Sequence, residues 1–569
     1  MRVLLLPLVL ASVASAQAPR VVSVSPAPNA VSVDRDTEFV LQFDRALDAA
    51  TVDDTSVRVF GRWSGPARGS LTVDGDRVRF RPDAPFMAGE TVTVSVSRRV
   101  ASGGVPMAHG MEMQVWTRSE PITSSFVLGD WITVRQPGEG RITSYGAYAG
   151  DLDGDGDSDL AVPNELTADV RVFLNDGSGG YEDFVIYPLP DGNWPSPSEG
   201  ADFDHDGEID IVVGNANNEM LSVMLGDGAG SFSSIVSYPT TGTSVRGLAV
   251  LDADGDGHDD VITANRSTGT LSRFMGRGDG TFDAPTTLDA GGFGETALAS
   301  GDADGDGILD LFVGAIGSDE VILMLGDGEG GFAVSDRIST PGAPWMLAAG
   351  DLDGDGDADV VSAGSHADVV DVVLSNGDGT LASGATLASG DLTIAVDLGD
   401  LDGDGILDLV SSNYFSGDFY VYRGDGVGGF AERQRLAIEG AGSCAVLHDR
   451  DGDGVLDITA IDEVGDRIYF VEHVVSPSTE PGAAAPVRLD LVSPNPASGA
   501  VRVRLSGEAG RDAHVTVVDA LGRTVATLYD GTVGSVAQTL VWEADVTPGV
   551  YTVWLRASGA RGSVRVTRL

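Results

Sequence analysis

Seven times this chain carries an aspartate-rich loop of the form D-x-D-x-D-G-x-x-D, and successive copies begin 49 to 51 residues apart. A fixed period of that length marks one supersecondary unit repeated along the chain. Each copy places carboxylates at loop positions 1, 3, 5 and 9. In the first they are Asp151, Asp153, Asp155 and Asp159; in the second Asp202, Asp204, Asp206 and Asp210; in the third Asp252, Asp254, Asp256 and Asp260. The fourth has Asp302, Asp304, Asp306 and Asp310, and the fifth Asp351, Asp353, Asp355 and Asp359. The sixth has Asp400, Asp402, Asp404 and Asp408, and the seventh Asp449, Asp451, Asp453 and Asp457. Four carboxylates within nine residues repel one another unless a hard cation sits between them. Calcium accepts about six to eight oxygens in irregular geometry, so about seven structural calcium ions are expected.

Within a unit the order of segments is constant. An apolar run such as 247–251 enters the acidic loop, a second leaves it at 260–263, and a third follows at 271–275. A Gly-Asp-Gly turn and an aromatic, Phe282, then open a fourth. The turn and aromatic recur as Asp176-Gly177 with Tyr181, Asp227-Gly228 with Phe232, Asp327-Gly328 with Phe332 and Asp425-Gly426 with Phe430. Asp-Gly between alternating apolar runs is a strong hairpin signal. Four antiparallel strands per repeat, arranged radially, make a β-propeller blade. The seventh repeat is incomplete, with no turn and no fourth strand after 467–472. The segment at about 125–134, just before the first loop, is expected to supply that strand by pairing with the blade of residues 443–473. Closure of this kind removes an exposed sheet edge.

The expected fold is therefore all-β, with a seven-bladed propeller over 121–476. Before it, residues 20–118 carry short alternating runs at 21–26, 38–43, 77–82 and 91–96, separated by turn residues, the pattern of a β-sandwich. After it come a Ser/Pro/Gly/Ala-rich linker at 474–486 and a second β-patterned segment at 487–569. Residues 1–16 read as a signal peptide: Arg2, an apolar run at 3–10, and Ala14-Ser15-Ala16 as cleavage site. That run is too short to span a bilayer, and no transmembrane segment is expected elsewhere.

The formal charge of −51 owes much to the loops, whose ligand positions hold 28 aspartates. The remaining excess disfavours nucleic acid and anionic membrane as partners. Cys444 is the only cysteine, which excludes an intrachain disulfide and a thiolate zinc site. A small buried apolar role is expected for it.

An EF-hand does not fit. Val162 and Val313 stand at loop position 12 in the first and fourth copies, and β-patterned sequence follows each loop. The loops instead resemble those of the FG-GAP/VCBS repeat family, which occurs in integrin α-subunit propellers and bacterial surface proteins. The resemblance implies side-chain ligands at positions 1, 3, 5 and 9 and a backbone carbonyl at position 7. Those carbonyls would belong to Asp157, Glu208, His258, Ile308, Asp357, Ile406 and Val455. The N-terminal segment, with Ser25-Pro26, Phe43 to Asp48, Phe80-Arg81-Pro82 and Gly89-Glu90, resembles bacterial Ig-like domains. The C-terminal segment carries Pro494-Asn495-Pro496, Asp519 with Gly522-Arg523, and Gly549-Val550-Tyr551. It resembles the sorting domain of the type IX secretion system. That implies the type IX machinery as a partner and a secreted or outer-surface location.

No catalytic constellation stands out: there is no H-E-x-x-H, no G-x-S-x-G and no second cysteine. Arg277-Gly278-Asp279 falls where other repeats have their hairpin turn. The acidic loop joins strands 1 and 2, so the 2–3 and 4–1 connections share the opposite end of the propeller. They carry Trp194, Arg246, Arg266, Phe293, Trp345, His366, Tyr414 and Phe415, with Asn215, Asn217 and Asn218 nearby. Aromatics with arginines and amides suit a glycan or protein ligand. The expected function is a calcium-stabilised binding or adhesion protein. A polysaccharide-degrading enzyme of the lyase type and a passive display scaffold are the alternatives.

Overall fold

The structure, a computed structural model, describes residues 17–475 except 123 and 182. Of the C-terminal stretch it describes 488–493, 501–506, 512–519, 523–533, 538–542, 546–547, 549–557 and 560–568. The expected signal peptide, most of the expected linker, the Pro494-Asn495-Pro496 motif and Gly522 lie outside the described residues. The chain divides into two compact units, Met1–Val475 and Ser476–Leu569.

Seven four-stranded antiparallel sheets occupy the repeat region. Six run in chain order, from the strand Tyr148–Gly150 of blade 1 to Phe430–Ala437 of blade 6. The seventh joins Gly442–His448, Asp457–Asp462 and Arg467–Val475 to the early strand Ser124–Thr133. Leu128 pairs with Val471 and Thr133 with Arg467, which is the closing strand expected from sequence. Val474 and Val475 pair with Ser125 and Ser124, so the strand takes in two residues assigned to the linker. The first strand of each blade packs on the first strand of the next, and blade 1 on blade 7, which completes a ring.

Second strands are buried along their whole length, as in Asp210–Asn215 and Asp310–Ala315, because neighbouring blades cover both faces. Between blades 1 and 2, Tyr148, Ala161, Ile211, Val213 and Met224 form one apolar cluster. Each such buried aliphatic stabilises the ring by roughly 1.5–3 kcal/mol relative to exposure. Two aromatics depart from the expected pattern. Tyr181 and Phe282 make only isolated bridges, to Asn175 and Gly276, and their fourth strands start later, at Val185–Pro188 and Thr286–Leu288. In blade 3 the intervening Pro285 has no N–H to give the ladder.

The N-terminal domain is a sandwich of two four-stranded sheets. One holds Val21–Ser25, Phe39–Phe43, Gly69–Asp74 and Arg77–Pro82; the other holds Val57–Gly61, Gly65–Pro66, Thr91–Val96 and Met111–Trp116. Phe39 and Phe80 of the first meet Val59, Val92 and Val115 of the second in the core. In the C-terminal unit a three-stranded and a four-stranded sheet share a core that includes Val503, Val515, Leu540 and Leu555.

The N-terminal domain sits on the acidic-loop end of the propeller and, with the segment that follows it, touches all seven loops. The Asp151 N–H donates to the Trp63 carbonyl at 2.7 Å, and Arg68 reaches Glu208 at 3.2 Å. The Arg98 and Glu112 N–H groups donate to the carbonyls of Gly255 and Gly307 at 2.7 and 2.9 Å, and the Asn29 amide donates to Gly356 at 2.9 Å. From the connecting segment, the N–H groups of Ile122 and Glu120 reach Asp402 and Gly454 at 2.8 and 2.7 Å. At the third loop two glycines meet: a Cβ on Gly110 would lie 2.4 Å from the Gly255 Cα. Only bare backbone fits that approach.

Candidate functional site

Within each acidic loop the aspartates have distinct structural duties. The position-1 carboxylate accepts from the N–H of the position-6 glycine, as Asp151 does from Gly156 at 3.0 Å and Asp252 from Gly257 at 2.8 Å. That glycine has positive φ in every copy, 93° at Gly156 and 91° at Gly454 for example, which a side chain would oppose. The position-9 carboxylate spans two hairpins. Asp159 accepts from the N–H groups of Leu152 (2.9 Å) and Asn175 (2.7 Å), and Asp210 from those of Phe203 (2.8 Å) and Gly226 (2.7 Å). The same seven-back, sixteen-forward pairing holds at Asp260, Asp310, Asp359 and Asp408. In the seventh loop the residue sixteen forward is His473, and its imidazole Nε2 lies 3.5 Å from the Asp457 carboxylate.

Carboxylate oxygens also converge as an ion would require. In the first and third loops those of positions 1, 3 and 9 lie within 4.8 Å of one another, and in the second, fourth and fifth those of positions 1, 3 and 5 do. Burial pushes the position-9 carboxyl up to about 8 at Asp159, Asp210 and Asp457, and to about 7 at Asp310, Asp359 and Asp408. At position 1 burial raises Asp151, Asp202, Asp302 and Asp400 to about 6. One oxygen each of Asp202, Asp402 and Asp449 is buried without a hydrogen-bond partner among the described residues. Buried, unpaired carboxylate oxygens in an all-oxygen set fit a divalent hard cation. Position 7 holds Asp157, Glu208, His258, Ile308, Asp357, Ile406 and Val455, whose side chains share no chemistry; a ligand there would have to be the backbone.

The sixth loop differs. Arg423 places Nη1 2.5 Å from Asp408 and 3.5 Å from Asp402, so a protein cation already stands between positions 3 and 9.

At the opposite end the predicted residues fall into two sets. Phe293, Phe415 and Trp194 form an exposed rim, at 71%, 69% and 41% accessibility. Trp194 has left-handed backbone, φ 58°, but so do Ser244 and Leu392 at the equivalent positions, so this belongs to the repeat and not to a ligand site. Arg246, Arg266, Trp345 and Tyr414 instead gather around the propeller axis. Arg266 lies over the Trp345 ring at 4.8 Å, and the Trp345 indole N–H donates to the Tyr145 hydroxyl at 2.7 Å. Arg246 stands over the Tyr145 ring at 5.5 Å and donates to Glu165 at 3.3 Å and Ser196 at 3.1 Å. Tyr414 donates to Glu463 at 3.2 Å, and Arg141 pairs with the same carboxylate at 3.4 Å. Burial, and then Glu165, push Glu463 up to about 7. Asn215 does not belong to this face: it is buried and donates to the Met220 carbonyl at 3.1 Å.

Tyr145, Glu165, Ser196, Glu199 and Glu463 escaped the sequence reading. They come from blades 1, 2 and 7 and have no common motif. Glu165 and Glu463 each follow a second strand and Ser196 opens a first, whereas Tyr145 precedes a first strand and Glu199 lies within one. A cavity of about 120 Å³ lies inside this cluster, with Tyr145, Ser196, Glu199, Arg246, Trp345 and Cys444 in its wall. Cys444 is half-buried in that wall, where a small buried apolar role was expected, and desolvation pushes its thiol up to about 12.

A family model described as an FG-GAP-like repeat matches residues 151–213, 202–263, 252–313, 302–362, 351–411 and 400–460, a continuous stretch of more than half the chain. A second, a bacterial Ig-like domain, matches 15–106. No curated protein matches the sequence significantly. Similar solved structures include BBS1N in complex with ARL6DN, at 12% identity over 61% of this chain and 98% of that one, with a TM-score of 0.42. Another is the periplasmic gluconolactonase of Pseudomonas aeruginosa, at 17% identity over 67% and 98%, with a TM-score of 0.39. The WD40 domain of Toxoplasma gondii coronin follows at 10% identity over 64% and 90%, with a TM-score of 0.41. Such distant likenesses carry no argument about activity. The run of matches from 151 to 460, laid over loops that share one hydrogen-bond pattern, makes this chain a member of the FG-GAP-like repeat family, with a bacterial Ig-like domain before the repeats.

Proposed function

We propose that the protein is a secreted or surface-displayed binding protein whose propeller is held together by calcium and whose ligand, a glycan or a protein, docks on the face opposite the acidic loops. The observation that carries this reading is the seat of the N-terminal domain. It covers the acidic-loop end and leaves the far end uncovered by that domain. That end carries Phe293, Phe415 and Trp194 with exposed rings, and aromatic anchors of this kind dominate recognition surfaces. The role assigned to calcium is structural: it would neutralise buried carboxylates and stabilise the folded form by mass action. Export by a signal peptide and the type IX machinery follows the resemblance of the terminal segments. No helix among the described residues is long and apolar enough to cross a membrane.

The test is a screen of the calcium-loaded protein against glycans and cell-surface proteins, repeated with Trp194, Phe293 and Phe415 changed together to serine. Loss of a hit in the triple variant, with an unchanged melting temperature, supports the reading. Retained binding refutes the placement of the ligand face.

A further inference from the structure

We infer that the axial channel is a blind pocket for a small molecule with a carboxylate at its outer end and an ammonium or hydroxyl donor at its inner end. This rests on the reading that the far face is open to ligand. The channel holds two adjoining cavities, of about 120 and about 220 Å³, which share Glu199, Leu248, Leu298, Met346 and Leu347 in their walls. The inner one is floored by the N-terminal domain through Arg58, Phe60, Arg62, Gln114 and Trp116. The N-terminal domain therefore closes the inner end of the channel. Pockets for drug-sized ligands run to about 300–1,000 Å³, so the outer cavity suits a molecule no larger than an amino acid or a monosaccharide.

The outer end is electropositive in a chain of net charge −51. Arg246 lines the cavity, its Nη1 engaged by Glu165 and Ser196, while its buried Nε has no partner among the described residues. Arg266 stands on Trp345 beside it, and no carboxylate pairs with Arg266 among the described residues. Three guanidiniums, Arg141, Arg246 and Arg266, with two carboxylates, Glu165 and Glu463, leave one positive charge uncompensated. A planar carboxylate is the ligand group that a guanidinium fork matches.

The inner end is acidic. Glu199 lies three residues farther along the strand Pro195–Ala201 than Ser196, the residue that holds Arg246; a β-bulge between Pro195 and Ser198 takes up one of them, so it lies about 7 Å deeper at strand rise. Its carboxylate lines both cavities and accepts no hydrogen bond among the described residues; the nearby Arg62 is engaged by Asp397 at 3.4 Å. Between the two ends the wall is apolar, with Leu248, Leu298, Leu347 and Ile394. A short ω-amino acid or a uronic acid presents these groups in this order.

The experiment is calorimetric titration of the full calcium-loaded chain with 5-aminopentanoate, D-glucuronate, 5-aminopentanamide and D-glucose. At least one carboxylate probe should bind with Kd below about 1 mM, and its carboxylate-free counterpart at least about tenfold more weakly. Arg246→Gln should weaken the carboxylate probe at least about tenfold, and Glu199→Gln should weaken 5-aminopentanoate more than glucuronate. Glu199→Gln removes no hydrogen bond of the protein, so it guards against a misfolded Arg246 variant. Preference for 5-aminopentanoate or for glucuronate identifies the source of the carboxylate. Absence of binding by every carboxylate probe at about 10 mM, or equal binding by both variants and the parent, overturns the inference. If the rim triple variant loses a macromolecular ligand while no probe binds, only the pocket falls. If probes bind and the rim binds nothing, only the rim reading falls.

Discussion

Arg58 of the N-terminal domain pairs with Asp259 of the third acidic loop at 2.9 Å, with 12% and 14% of the two side chains exposed. The same guanidinium donates to the Gly257 carbonyl at 3.1 Å, so one arginine grips both the backbone and a carboxylate of a metal-type loop. Removing it strands Asp259 in the interface. Breaking a buried pair on one side costs about 3–5 kcal/mol. Arg58→Met should therefore release the N-terminal domain before the propeller melts, seen as a separate low-temperature transition and faster protease cleavage near residues 118–123. A single transition unchanged from the parent would contradict the interface.

The position-9 and position-3 aspartates should respond differently to substitution. Asp210→Ala removes the acceptor for two backbone N–H groups, at about 1–3 kcal/mol for each group left unsatisfied. It should destabilise the protein with and without calcium. Asp204→Asn keeps a side-chain oxygen to accept from the Asp206 N–H at 3.2 Å and loses chiefly charge. It should lower the melting temperature only in calcium. Equal effects of Asp204→Asn in calcium and in chelator would show that the loops act as turns alone.

In the metal-free chain pH dependence should have an unusual sign. Burial raises Asp159, Asp210 and Asp457 to about 8, above the ordinary aspartate value of about 3.9 in an unfolded chain. Between those values the folded state binds more protons than the unfolded one, so stability falls as pH rises from about 4 to about 8. Calcium requires the same carboxylates ionised, so its affinity should rise across that range. Melting at pH 5 and pH 8, with and without calcium, checks both signs. The chelated protein should melt higher at pH 5, and calcium should raise the melting temperature more at pH 8.

Arg423 should make the sixth loop the weakest cation site, since it already lies against Asp402 and Asp408. Arg423→Gln should raise the measured ion stoichiometry or the affinity of the last ion bound. A calcium titration identical to the parent's would place no cation there in either protein.

The blades were legible in sequence because their determinants are local: a loop of nine residues, an Asp-Gly turn seventeen or nineteen residues after position 9, and a period near 50. The closing strand 124–133 was legible too, since an unfinished seventh repeat and an orphan strand before the first account for one another. The position of the N-terminal domain was not. Arg58 and Asp259 are 201 residues apart and Gly110 meets Gly255, contacts that follow from shape and from no repeat. The axial cluster was half legible. Arg246, Arg266, Trp345 and Tyr414 were found as unusual residues at connection positions, whereas Glu165 and Glu199 look like ordinary acids in a chain with 86 of them. Tyr181 and Phe282 show the limit of the repeat itself: the aromatic recurs, but the strand after it depends on neighbours such as Pro285.

The central claim, that calcium in the acidic loops holds the propeller together, is tested most directly by scanning calorimetry of the full chain in calcium and after chelation, with elemental analysis of the same samples. The account predicts six to seven calcium ions per chain, one per acidic loop with the sixth the weakest, and a melting temperature that falls markedly when they are removed. Identical melts, with no calcium in the purified protein, would contradict it.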